Sequence, residues 1–209
     1  MAPEVRPTGI PDPATVSDFA TQRRSDLFDD LLALFLTEGF AHFTLDALVA
    51  RLHCSKSTLY TLAPSKGELV RAATVRFFRQ STDAVEHAVA QTPSPAAKIT
   101  AYLSAVGDAL AEASPRFLTD LAAFAPAREV YEQNTAIAAQ RVKELIDDGV
   151  EAGAFRDVHA TFAADLAATT MVRIQQGQVR AATGLDDAAA YRELAAILTT
   201  GILTAGITA

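Results

Sequence analysis

Wound at helical pitch, residues 55–62 place Lys56, Ser57, Tyr60 and Thr61 within one arc of roughly 140°, with Leu59 and Leu62 on the opposite side. One side of such a helix is apolar and seats it, while the other offers an ammonium and three hydroxyls. That front is suited to recognition by hydrogen bonding, not to making or breaking bonds. Its donors and acceptors match the polar base edges of a DNA major groove, where every base pair presents a distinct pattern. The first turn adds backbone N–H groups without helical partners and the positive end of the helix dipole, both of which favour a phosphate.

A reading helix has to be held by others. The stretch Thr44–Leu52 predicts a short helix, with Thr44 as N-cap and Phe43 and Leu48 as a hydrophobic staple. Only His53 and Cys54 separate it from Ser55, the predicted N-cap of the reading helix, a connection tight enough for a helix-turn-helix. Before them, Leu27, Leu31, Leu34 and Phe35 repeat at i, i+4, i+7 and i+8, and Gly39 closes that helix as a C′ residue. After them, Ser65-Lys66-Gly67-Glu68 forms a capping box that opens a fourth helix reaching about Ala90.

The remaining two-thirds continues in the same style. Ser94-Pro95 and Ser114-Pro115 are N-cap/N1 pairs, and Pro126 opens a helix that closes before Gly153. Asp157 is the predicted cap of a helix running to about Thr183, and Asp186 of the last one. Half the residues are apolar, alanine dominates, and Val, Ile and Thr never gather into alternating runs. These features predict an all-α protein of about nine helices. Residues 1–17 hold four prolines and no apolar period, and read as a disordered tail.

Composition also excludes several classes. A lone cysteine, Cys54, forbids an intrachain disulfide, and a redox role for it is disfavoured because the staple reading buries it. His42, His53, His87 and His159 have no ligand or nucleophile spacing, and no glycine-rich phosphate loop occurs, so neither an enzyme nor a metal or other cofactor is expected. No secretory signal is read at the N-terminus, and the charge-free stretch Leu194–Ala209 is shorter than the roughly 20 residues of a membrane span. The expected location is cytoplasmic. A net charge of −7, taken whole, opposes DNA, but its distribution does not. From Arg51 to Arg79 six basic residues face one acid, whereas from Gln80 onward nine face sixteen. An acidic body carries a locally basic module.

The order Gly39-Phe40, Phe43-Thr44-Leu45, Ser55-Lys56-Ser57-Thr58-Leu59-Tyr60, Pro64-Ser65-Lys66 closely resembles the DNA-binding domain of the TetR family of transcriptional repressors, over residues 22–72. The stretch "LIDDGVEAGAF" is similar to the end of that family's seventh helix. The resemblance implies a helix-turn-helix domain over residues 18–63 and a ligand-binding and dimerisation domain over 64–209. It implies a phosphate contact for Thr44 and base contacts for Lys56, Ser57 and Thr61. Tyr60 would lie along the DNA backbone, Lys66 on a phosphate, and Ser55 and Thr58 complete the DNA-facing set. Two positions depart from the pattern. His53 stands where glycine is usual, at some conformational cost, and Ala63 where an aromatic is common, a gap that Leu62, Phe77 or Phe78 would have to fill.

In that family the later helices enclose a ligand cavity and the last two form a homodimer. The matching candidates here are Phe78, Phe117, Phe124, Tyr131, Phe162, Met171 and Gln175 for the cavity, and Leu194, Ile197, Leu198, Gly201 and Ile202 for the dimer interface. The implied function is a ligand-responsive, sequence-specific, homodimeric regulator, a repressor released from a palindromic operator on double-stranded DNA by a small, largely apolar effector. The competing reading is a helical small-molecule-binding protein that has lost DNA binding.

Overall fold

The computed structural model describes residues 13–203, with side chains from residue 21. Ten helices are present among them: α1 Pro13–Glu38, α2 Leu45–Arg51, α3 Lys56–Tyr60, α4 Lys66–Ala90, α5 Pro95–Ala111, α6 Pro115–Ala123, α7 Ala125–Glu151, α8 Ala160–Gln175, α9 Gln178–Thr183 and α10 Asp187–Ile202. No strand is formed among the described residues; a single antiparallel bridge joins Phe155 to Leu203. None of the described helices is long and apolar enough to cross a membrane.

Local chemistry sets most of the boundaries. The side-chain oxygens of Thr44, Ser55, Ser65, Ser114 and Asp186 each accept a backbone N–H from the first turn of the helix that follows. Gly39 ends α1 with φ +75°. Four boundaries differ from the sequence expectation. α1 begins at Pro13, inside the span read as a tail, because proline at a first helical position forfeits no internal hydrogen bond; the rest of that tail, residues 1–12, lies outside the described residues. α8 is capped by His159, whose Nδ1 accepts the Phe162 N–H at 3.2 Å, and not by Asp157. The helix expected to run on to Thr183 breaks at Gly177, φ +70°, so its last turns form the separate α9, closed by Gly184. α3 is also shorter than drawn, with Thr61 as its C-cap.

α1 to α3 pack around Leu31, Phe35, Phe40, Phe43, Leu48 and Leu59, all buried. α4 leaves this cluster and runs into the body, where it lies on α5 and α7; α10 packs on α5, and α8 on α7. Rings touch along the whole path. Phe43 meets Phe35, Phe35 meets Phe40, Phe40 meets Phe117, Phe117 meets Phe77, Phe77 meets Phe78, and Phe78 stacks on Tyr131.

The turn after α7 depends on Gly149. Its Phe155 neighbour folds back so closely that an added Cβ would run into the phenyl ring. Gly149→Ala is therefore expected to cost about 1–3 kcal/mol, the usual penalty for overpacking a tight core. A fall in the chemical-denaturation midpoint with unchanged slope would show it.

Candidate nucleic-acid interface and internal cavity

α2 and α3 meet through a turn in which His53 takes φ +48°, the left-handed conformation the sequence comparison required of it. Its N–H donates to Ala50 O, and that of Cys54 to Val49 O. Cys54 is partly buried, and desolvation pushes its thiol pKa up, away from the reactive thiolate. Leu59 is buried beneath α3, while Lys56, Ser57, Thr58, Tyr60 and Thr61 are exposed.

The hydroxyls at the start of α3 form a small cluster. Ser55 Oγ accepts the Thr58 N–H at 3.0 Å and lies 2.8 Å from Ser57 Oγ and 2.7 Å from Thr58 Oγ1. Thr61 Oγ1 donates to Thr58 O at 2.6 Å. Thr44 Oγ1 is engaged in capping α2, accepting from Ala47 N at 3.1 Å. Ser55, Thr58, Thr61 and Thr44 thus have local structural duties and Ser57 shares in the cluster, while Tyr60 stands exposed beside them.

Both lysines have partners that their sequence neighbourhood did not reveal. Lys56 Nζ lies 2.6 Å from Asp46 Oδ1 on α2, which raises the ammonium's pKa and occupies part of its charge. Lys66 Nζ donates to Ala41 O at 3.0 Å, and partial burial lowers its pKa. An ammonium has three donors, so this bond leaves two for a phosphate. Arg51 pairs with Glu38 and sits over the Phe43 ring, which ties α2 to α1. Removing the Asp46 carboxylate should free Lys56 and delete a negative charge beside the α3 front. Asp46→Asn is expected to tighten DNA binding roughly two- to fivefold at low salt, and less as salt rises; a fluorescence-anisotropy titration at two ionic strengths measures it. Ala63 is buried in the same apolar cluster with Leu62 packed against it, while Phe77 and Phe78 serve the junction and the body instead of filling the position.

In the body, α4, α5, α7, α8 and α10 line a cavity of about 450 Å³. Of the seven residues named from sequence, Phe78, Tyr131 and Met171 line it. Four do not. Phe117 is wholly buried at the junction, edge-on to Phe40 and Phe77, and Phe124 lies against Phe40. Phe162 is 68% exposed on the outer face of α8. Gln175 faces a second, open groove between α7 and α8, where its Oε1 accepts from Thr135 Oγ1 at 3.1 Å. Tyr102 and Tyr191 line the cavity and were missed. Tyr102 was findable, since Ile99, Tyr102 and Leu103 mark the buried face of α5.

Arg141 lies at this cavity with both flanking carboxylates engaged. Its Nε and Nη2 donate to the two oxygens of Glu86 at 3.0 and 3.1 Å, and Nη1 donates to Glu144 at 3.2 Å. The Tyr131 hydroxyl is buried without a hydrogen-bond partner, and desolvation raises its pKa, so it stays protonated. The expected dimer residues also divide. Leu194, Leu198 and Ile202 are buried within the chain, because that stripe of α10 faces its own α5, whereas Ile197 and Gly201 are exposed. Ile197 shares the exterior with Phe162 and Leu166 of α8.

Residues 27–73, which span the end of α1 through the start of α4, match the sequence profile of the bacterial regulatory proteins of the tetR family. Over these residues the chain is similar to the DNA-binding domain of the tetR family. Regulators of that family bind DNA to control transcription. A comparison with curated protein sequences finds no match. Similar solved structures extend over the whole body. A TetR-family regulator from Cytophaga hutchinsonii is 18% identical, with 89% of this chain and 97% of that chain covered and a TM-score of 0.68. One from Agrobacterium tumefaciens is 13% identical, with 88% and 100% covered and a TM-score of 0.66. A protein from Saccharomonospora viridis solved with choline is 14% identical, with 88% and 99% covered and a TM-score of 0.69. At these identities the likeness establishes the fold, an all-α architecture shared with those structures.

Proposed function

We propose that this chain is a cytoplasmic, homodimeric repressor of the TetR family that leaves a palindromic operator when a small, largely apolar effector enters the body. The carrying observation is the form of α3: it is capped by Ser55, seated by Leu59, and fronted by exposed Lys56, Ser57 and Thr61. Lys56, Ser57 and Thr61 read base edges, Tyr60 lies along the backbone, and Thr44 and Lys66 hold phosphates. The helix-turn-helix over residues 18–63 and the body over 64–209 divide the work.

The cavity supports the effector's chemistry. Its wall is mostly aliphatic and aromatic, and its one guanidinium is already committed to two carboxylates, which disfavours a carboxylate ligand. An unpaired buried hydroxyl costs about 1–3 kcal/mol, so a single acceptor oxygen on an apolar molecule would be rewarded at Tyr131. The choline in the Saccharomonospora viridis structure supports a small-molecule role for this fold. Exposed Phe162, Leu166 and Ile197 on two adjacent helices support the dimer. Two reading helices on a two-fold axis enter successive major grooves when about 34 Å apart, and an effector that prefers another separation weakens binding by a coupling of about 1–3 kcal/mol.

The alternative, a small-molecule binder without DNA activity, draws on the engagement of Lys56 by Asp46 and of Lys66 by Ala41. One experiment separates the two. Fragments of the source genome are selected on the immobilised protein; an enriched inverted repeat is expected, and no enrichment would sink the repressor reading.

A further inference from the structure

The turn between α1 and α2 is held from the body. Asp120, on α6 and 9% exposed, aims one carboxylate oxygen at two successive backbone groups: Oδ2 accepts the Phe40 N–H at 2.6 Å and the Ala41 N–H at 2.8 Å. Lys66 Nζ takes the Ala41 carbonyl on the other side of the same peptide segment. At the N-cap of the same helix, the Ser114 N–H donates to Leu36 O at 2.8 Å, near the end of α1. Gly39 makes the approach possible. It has φ +75°, and a Cβ there would lie 2.6 Å from Asp120 Oδ2 and 2.9 Å from Arg116 Cγ.

This is more than packing. One side-chain oxygen bonded to two adjacent N–H groups fixes the direction of the chain entering α2. α2 in turn carries α3 through the short connection of residues 52–55. α6 is also tied to the cavity wall, because its Phe117 touches Phe77, the neighbour of cavity-lining Phe78.

We propose that Asp120 is the positioning residue through which α6 sets the orientation of the helix-turn-helix relative to the body. It touches no DNA itself. It acts through the Phe40 and Ala41 amides, and its release would let α2 and α3 swing while each remains folded. The orientation claim stands on geometry alone; only its consequence for DNA rests on the repressor reading.

Two measurements test it on the full chain. In a Cys54→Ser background, spin labels placed by Tyr60→Cys on α3 and Asp148→Cys on α7 report the distance between reading helix and body, with labelled chains diluted in unlabelled ones. Asp120→Ala should shift or broaden that distribution by more than about 2 Å, the scale of switching helix movements. Asp120→Asn, which keeps a carbonyl oxygen able to accept both N–H groups, should restore a narrow one. In the unlabelled protein, Asp120→Ala should lower the ratio of affinities for the selected repeat over random duplex at least tenfold and leave random-duplex binding unchanged, with Asp120→Asn within threefold of the parent. An unaltered distance distribution in Asp120→Ala overturns the proposal, as does an equal loss of binding to both DNAs that tracks a lowered melting temperature. A parent that binds no repeat defeats the repressor reading, while the distance measurement still decides the role of Asp120.

Discussion

Phe117→Ala is expected to cost about 3–5 kcal/mol of stability, the range for emptying a fully buried phenylalanine site. The ring is wholly inaccessible and lies edge-on to Phe40 from the helix-turn-helix and to Phe77 from α4. Its loss opens a void where three segments meet, so none of them can collapse inward without dragging the others. A domain this size has a net stability of only about 5–15 kcal/mol, and the variant would lose a large share of it. Circular dichroism at 222 nm gives the total stability, and Tyr60 on α3 with Tyr131 in the body offers local probes by nuclear magnetic resonance. Both tyrosines should melt together at a lower denaturant concentration. If Tyr60 alone lost its native signal while Tyr131 kept the parental midpoint, the junction would be a hinge and not shared core.

The second large effect concerns base reading. Lys56→Ala should reduce preference for the selected repeat over random duplex about 10- to 100-fold, since a good base contact carries about 1–3 kcal/mol of discrimination. Lys66→Ala should instead weaken both DNAs together and lower the slope of log affinity against log salt by about one per contact. Lys66 carries a second burden, the Ala41 carbonyl, so its loss also loosens the turn before α2. The two substitutions should therefore be measured across a salt series and not at one condition. Equal losses on repeat and random DNA from both variants would refute the division into base and phosphate roles.

How much of this was legible in the sequence depended on range. The helix starts at Thr44, Ser55, Ser65, Ser114 and Asp186 were readable because a capping side chain bonds within three residues of itself. His159 was missed because an imidazole is an uncommon cap and Asp157 stood two residues away. Aromatic residues at helical spacing look alike whether they face a cavity, a junction or solvent, which is why Phe78, Phe117 and Phe162 were grouped and then dispersed. α10 is apolar on more than one face, and periodicity cannot say which face meets its own chain; Leu194, Leu198 and Ile202 met α5. Asp120 had no signal at all, since its partners are 79 and 80 residues away. His53 marks the opposite case. The motif demanded a left-handed residue there, and the chain supplies one without glycine.

The ring path from Phe43 to Tyr131 bears on how such a protein can change over evolutionary time. A helix-turn-helix keyed into its body by Phe40, Phe117, Phe124 and Asp120 is a poor subject for exchange between relatives, because a donor domain would arrive without the matching rings and carboxylate. Lys56, Ser57 and Thr61, by contrast, bury nothing and can be substituted at little cost to the fold. New binding preferences in this lineage should therefore accumulate as point changes along the front of α3, with the junction beneath it held nearly constant.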